Sequence, residues 1–122
     1  MYLRAVHAEP SIKVLFDFIK ENPLGILTTA IPSPSYPFLQ SSHIPWVLDT
    51  ISDDPDASVK GRLRGHMARQ NPQAKAIIEA ASTSSTRKLQ QDVMILYTGP
   101  HHHYVTPKFY TETKPATGKV VP

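Results

Sequence analysis

Proline sets the first limit on what this chain can fold into. Twelve prolines are spread through 122 residues; each lacks a backbone donor and fixes φ near −65°. Long helices are disfavoured, and short strands joined by loops are favoured. Two segments nevertheless carry helical spacing. Ser11 to Glu21 places Ile12, Leu15, Phe16 and Ile19 on one face behind a capping serine. Asn22-Pro23 ends that helix, because the residue before proline is pushed out of the helical region. Pro72 to Ala81 opens with Asn71 as cap and proline at the first helical position; Ile77, Ile78 and Ala81 are its expected buried residues.

The rest reads as short strands. Leu24 to Ile31, L-G-I-L-T-T-A-I, is rich in branched residues and predicts a buried strand. Phe38 to Asp49 alternates, with Phe38, Gln40, Ser42, Ile44, Trp46 and Leu48 on one face and Leu39, Ser41, His43 and Val47 on the other. Pro45 cannot donate to a ladder, so a bulge or an edge is expected there. A strand from Gly61 puts Lys60, Arg62, Arg64 and His66 on one face. Val93 to Tyr97 is a further apolar strand ended by Gly99-Pro100, and His103 to Thr106 is a candidate last one, before Thr106-Pro107 caps a short turn through Tyr110. The connections are P-S-P-S-Y-P, an acidic loop from Thr50 to Val59, and a polar linker, Ser82 to Gln91, with the composition of a mobile loop. The length suits one compact domain with one core. The expected fold class is α+β, mostly β: an antiparallel barrel decorated by helices.

Charge narrows the chemistry. The net charge is only +3, but Asp49, Asp53, Asp54 and Asp56 crowd one stretch, whereas Lys60 to Lys75 holds five bases and no acid. Such a local positive field attracts anions. The basic strand runs into a capped helix, whose N-terminus is a natural anion site. Arg64 or Arg69 would supply charge there, and the Gln73 and Ala74 amides would supply donors. A solvated strand face beside an ordinary cap explains the same residues. Cysteine is absent, which excludes disulfides and Cys-based zinc sites and fits an intracellular chain. No secretory signal and no apolar run of membrane-spanning length is visible. His101-His102-His103 lacks a nearby carboxylate to complete a metal site, so packing and hydrogen bonding are its expected roles. Ser42 and His43 are adjacent on a strand and point to opposite faces, so they cannot form a nucleophile–base pair. There is no G-x-S-x-G elbow, no P-loop and no helix-turn-helix pattern.

Several ordered motifs carry a family resemblance. They are M-Y at the start, N-P-L-G-I-L-T-T at Asn22 to Thr29, S-H-I-P at Ser42 to Pro45, G-H-M-A-R-Q-N-P-Q at Gly65 to Gln73, and G-P-H-H-H-Y-V-T-P-K-F-Y at Gly99 to Tyr110. Together they resemble the PaiB-type FMN-binding negative transcriptional regulator family, whose members adopt the flavin-binding split β-barrel. The loop at Ile31 to Pro37 and the linker around Ser82 to Gln91 look like additions to the bacterial pattern.

That resemblance implies FMN as cofactor. His43, Ile44, Pro45 and Trp46 would lie along the flavin. Gly65 would let backbone approach it closely, beside His66, and Arg69, Asn71 and Gln73 would sit at its phosphate end. It implies a homodimer with the flavin at the interface, where His101 to Tyr104 would reach the partner's site. The residues themselves point to no catalytic group and no metal; DNA or a regulatory protein enters as a partner through the family label alone, and the expected location is intracellular, cytoplasmic or nuclear. An FMN-dependent oxidoreductase and a shortened relative without cofactor are the alternative readings. Family members usually continue into T-W-N-Y after this point, so the barrel is expected to be incomplete at its C-terminal end.

Overall fold

A computed structural model describes residues 5–52 and 59–101. A short 3-10 turn, Ala5–His7, precedes helix α1, Ile12–Glu21. Ser11 caps it as the sequence requires: its Oγ accepts from the Val14 amide at 3.4 Å. At the other end the Asn22 amide and the Asn22 side chain both donate to the Phe18 carbonyl, and Pro23 prevents continuation. Strands β1 (Leu24–Ala30), β2 (Leu39–Thr50) and β3 (Gly61–Gly65) follow, then helix α2 (Pro72–Ser82) and strand β4 (Val93–Leu96). Among the described residues, the two expected helices and the four strands starting near Leu24, Phe38, Gly61 and Val93 are present, with ends displaced by at most a residue or two.

The strands form one curled antiparallel sheet in the order β3-β2-β1-β4, a half-barrel of the split-barrel kind. Strand β2 serves two partners in turn. Its first part, Leu39 to Pro45, pairs with β1, and Trp46 to Thr50 pairs with β3. The handover falls at Pro45. The Trp46 amide donates back to the Pro23 carbonyl at 2.9 Å, so a donor on residue 45 would have pointed to the other side. There the β3 pairing has already ended at Gly65. Proline costs no ladder bond at such a local edge, which is how a central strand tolerates it.

Register then decides the two faces. Gly25, Leu27 and Thr29 alternate inward along β1, opposite Ile44, Ser42 and Gln40 of β2. Leu24, Thr28, Ser41 and His43 face outward, where the Thr28 and Ser41 hydroxyls pair across the strands at 2.8 Å. The core is small: Leu27, Ile31, Ile44, Ala74 and Ala76, with Thr29 and Gln73 as its buried polar members. Helix α2 departs from expectation here. It buries Gln73, Ala74 and Ala76, whereas Ile78 is 52% exposed and Ile77 and Ala81 are half-buried. The helix meets the sheet through its first turns, where alanine lets backbone approach, and its isoleucines flank an open groove instead.

The Ser82 to Gln91 linker has more internal structure than its composition suggests. Ser84 Oγ accepts from the Thr86 amide at 3.3 Å and from Gln90 Nε2 at 3.4 Å, and Arg87 sits in the left-handed region at φ 52°. The acidic residues Asp53, Asp54 and Asp56, the candidate strand His103 to Thr106 and the turn through Tyr110 lie outside the described residues.

Candidate functional site

On the inner side of the half-barrel, between sheet and α2, lies a groove of about 270 Å³. Leu27 and Ile44 form its floor with Trp46, the only tryptophan of the chain. Ala74, Ile77 and Ile78 of α2 form one wall, and the passage from Gly65 to Arg69 forms the rim. The lining is mostly apolar, with the imidazole of His66 and the guanidinium of Arg69 at its edge. That combination suits a flat apolar ring carrying an anionic arm.

Two close approaches hold Trp46. It pairs with Gly65 across the β2–β3 ladder. A Cβ on Gly65 would lie 2.8 Å from Trp46 Cε3, and one on Gly25 would lie 2.9 Å from Trp46 Cδ1. The indole is thus clasped between glycines of two neighbouring strands, and any larger residue at either position would displace it. Its Nε1 is buried with no hydrogen-bond partner among the described residues, as is the Tyr97 hydroxyl.

Burial raises the pKa of that Tyr97 hydroxyl above the ordinary phenol value. The unfolded chain therefore ionises first as pH rises. Stability is fully present below the ordinary tyrosine value and falls as pH climbs through the raised one. Tyr97→Phe removes a desolvated hydroxyl without losing a bond, so it should be neutral or stabilising by about 1 kcal/mol. It should also flatten the alkaline limb of a stability–pH curve. Urea melts of both proteins at neutral and alkaline pH check this, and a clear loss at neutral pH would mean that the hydroxyl has a partner in solution.

The basic stripe divides on folding. Arg62 and Arg64 face outward on β3, away from the groove. Arg64 is also committed: its Nε donates to Asp49 Oδ2 at 2.6 Å and its Nη2 to Asp49 Oδ1 at 2.8 Å. The Arg64 hydrogen bonds hold the Asp49 carboxyl below the usual carboxylate range, so the pair's contribution exists above that range and fades as pH falls through the lowered value. The pair is exposed, and such pairs stabilise little. Its consequence for the site is that Arg69, rather than Arg64, is the arginine at the groove. His66, expected on the stripe, lies past the end of β3 and lines the groove instead.

The remaining expected residues are dispersed. Asn71 caps α2 by accepting from the Gln73 amide at 2.9 Å, and its Nδ2 donates to Ser42 Oγ at 3.0 Å. The Gln73 amide is therefore occupied rather than free for an anion. The Gln73 side chain is buried beneath α2, where Nε2 faces the Leu27 and Gln40 carbonyls and Thr29 Oγ1, each at 3.1 Å. His43 and Pro45 are exposed on the outer face. Sequence reasoning missed Leu27, Met67 and the α2 isoleucines as groove residues. The isoleucine pair was the available signal, but periodicity assigned it to the core. No group of metal-ligating side chains occurs among the described residues, and none of their helices is long and apolar enough to cross a membrane.

Comparison with known proteins fits this geometry. An uncharacterised protein of Emericella nidulans is 62% identical over 127 aligned positions, and one of Aspergillus fumigatus is 62% identical over 133. Both alignments take in all of this chain but 51% of the relative, so the chain spans about half the length of the curated relatives it matches. No solved structure matches it. A family model described as "Putative FMN-binding domain" matches residues 1–122, and the chain belongs to that family.

Proposed function

We propose that the chain is an FMN-binding module that holds the flavin ring against Trp46 and Ile44, with the phosphate toward Arg69. The observation that carries this reading is the groove itself, which gathers Ile44, Trp46, Gly65, His66 and Arg69 from two separate parts of the sequence. The residues present fit the group. Apolar walls suit the faces of the ring, the rim cation suits the phosphate, and the clasped indole gives a fixed surface to stack on. At about 270 Å³ the groove falls just below the usual range for ligand sites, about 300–1,000 Å³, so it accommodates a ring better than a whole nucleotide. Bound FMN would supply reversible electron transfer. This chain's own residues bind and orient it, and the groove presents no nucleophile paired with a base. On the family resemblance, we favour a flavin-dependent regulator or sensor over an oxidoreductase.

A homodimer belongs to the same reading. The outer sheet face leaves Leu24 55%, Met94 55% and Leu96 46% exposed, an apolar surface suited to cover by a second copy, and light scattering of the purified chain tests it. Negative transcriptional regulation, with DNA or a regulatory protein as partner in the cytoplasm or nucleus, is the biological role that the family resemblance suggests.

The decisive experiment follows quenching of Trp46 fluorescence by FMN and by riboflavin, in the wild type and in Arg69→Ala. Losing a charge-assisted contact costs about 1.5–3 kcal/mol, which weakens FMN binding roughly ten- to hundredfold. Riboflavin lacks the phosphate and should hardly respond. Equal losses for both ligands would make Arg69 a support of the fold. Absence of quenching by either ligand in the wild type would end the reading.

A further inference from the structure

The loop between β1 and β2 is organised by one hydroxyl. Its neck is closed by the Ile31 amide donating to the Phe38 carbonyl at 2.9 Å. Between those residues, every hydrogen bond described for residues 32–36 passes through Ser33 Oγ. It accepts from the Ser35 amide at 3.1 Å and the Tyr36 amide at 3.2 Å. It donates to Glu79 Oε1 of α2 at 3.1 Å, the only side-chain bond from this loop to the helix. Around it, Pro32, Pro34, Ser35 and Pro37 are exposed. The stretch contains three prolines that cannot donate, so no backbone ladder would have to break for another protein to take hold of it.

We propose that Ser33 is a phosphorylation site for a proline-directed kinase, and that its modification unlatches this loop from α2. The recognition element is Ser33-Pro34, presented on an exposed, proline-rich stretch. In the reaction Ser33 Oγ attacks the γ-phosphorus of ATP. The new Oγ–P bond forms as the bond to the β-phosphate oxygen breaks, ADP leaves, and the hydroxyl proton passes to the kinase's base. Oγ becomes an ester oxygen with no proton to donate to Glu79. In its place stands a group of charge about −1.5 to −2 at neutral pH, held against a carboxylate. Both changes act in one direction: the hydrogen bond becomes a repulsion. Glu79 sits one residue beyond Ile78 and two beyond Ile77, which line the groove, so the latch adjoins the wall of the candidate site without forming part of it.

The test uses the folded chain, Mg·ATP and a purified serine/threonine kinase of the MAP-kinase class, with the site mapped by peptide mass spectrometry. The proposal expects a phosphoryl group on Ser33, lost in Ser33→Ala and in Pro34→Ala and retained in Ser35→Ala, with peptide mapping separating it from any label on Thr106-Pro107, the second Ser/Thr-Pro pair of the sequence. Undiminished incorporation in Ser33→Ala, or labelling only of urea-unfolded protein, would overturn it. Hydrogen exchange then reads the latch. Phosphorylation should speed exchange of the residue 31–38 amides about tenfold, the equivalent of losing one ordinary hydrogen bond. Glu79→Gln keeps an acceptor oxygen, removes the charge and offers the phosphate a donor, so most of that acceleration should disappear. An equal acceleration in Glu79→Gln, or none in the wild type, would refute the unlatching.

Discussion

Gln73→Glu should be the most damaging isosteric change in the described fold, costing about 3–5 kcal/mol at neutral pH. Gln73 is 1% exposed. Its Nε2, which carries two hydrogens, lies 3.1 Å from three oxygens, the Leu27 and Gln40 carbonyls and Thr29 Oγ1. Glutamate has the same shape but replaces the donor with an acceptor, and an ionised carboxylate would then face two carbonyl oxygens with no compensating cation and only the Thr29 hydroxyl able to donate. Those partners lie on β1 and β2, so the damage strikes the joint that positions α2 over the sheet. The sign of the pH dependence follows. Burial and repulsion raise the folded-state pKa of the introduced carboxyl above its unfolded value. The folded state then binds the extra proton more tightly, and the deficit should shrink as pH falls toward the ordinary glutamate range and be complete above the raised value. Urea melts of wild type and variant across that range measure it. Gln73→Leu is the informative companion: it also removes Gln73 Oε1, which is buried without a partner, so it should cost less than Gln73→Glu. An equal cost for the two, with no pH dependence, would show that volume rather than hydrogen bonding matters at this position.

Gly25→Ala should destabilise by about 3 kcal/mol, the upper end of the usual range for overpacking. A methyl carbon there would lie 2.8 Å from Ile95 Cγ2, 2.9 Å from Trp46 Cδ1 and 2.9 Å from Tyr97 Cε1. Those neighbours come from two different strands and the segment after β4, so no single rotamer change relieves all three. The strain should reach the groove, because Trp46 is the ring that has to move; a shift in tryptophan emission and weaker flavin binding should accompany the lower melting temperature. Gly99→Ala serves as the control. Its added carbon would meet only Phe18, at 3.0 and 3.3 Å, and Phe18 is 37% exposed and free to swing outward. Similar losses at Gly25 and Gly99 would count against the clasp around Trp46.

How far these effects could be foreseen differs from residue to residue. The α1 cap at Ser11, the α2 cap at Asn71 and the alternation of Gln40, Ser42, Ile44 and Trp46 were legible because each depends on neighbours within a few positions. The same locality explains why a proline within β2 pointed to an edge or a bulge before any pairing was known. Arg64 was not legible in this way. Its carboxylate lies 15 residues earlier, and only the β2–β3 register brings Asp49 within reach. Gln73 shows the limit most clearly. Its place in the first turn of a capped helix suggested a polar contact at an anion site, yet the angle at which α2 meets the sheet turns the side chain inward onto strand oxygens.

By itself, then, the sequence determined the element types, the alternation of faces along β2, the capped starts of both helices, the split-barrel class and the family. Local sterics and hydrogen bonding decide all of these except the last two, which rest on the order of motifs along the chain. Tertiary structure alone decided which polar groups are spent and which are left for a ligand. Arg64 is bound to Asp49 and Gln73 to the sheet, whereas Arg69 and Trp46 meet at one groove although 23 positions separate them. The reason is physical: strand register and helix docking bring distant side chains within the few ångströms over which hydrogen bonds and ion pairs form, and separation along the sequence carries no measure of that distance.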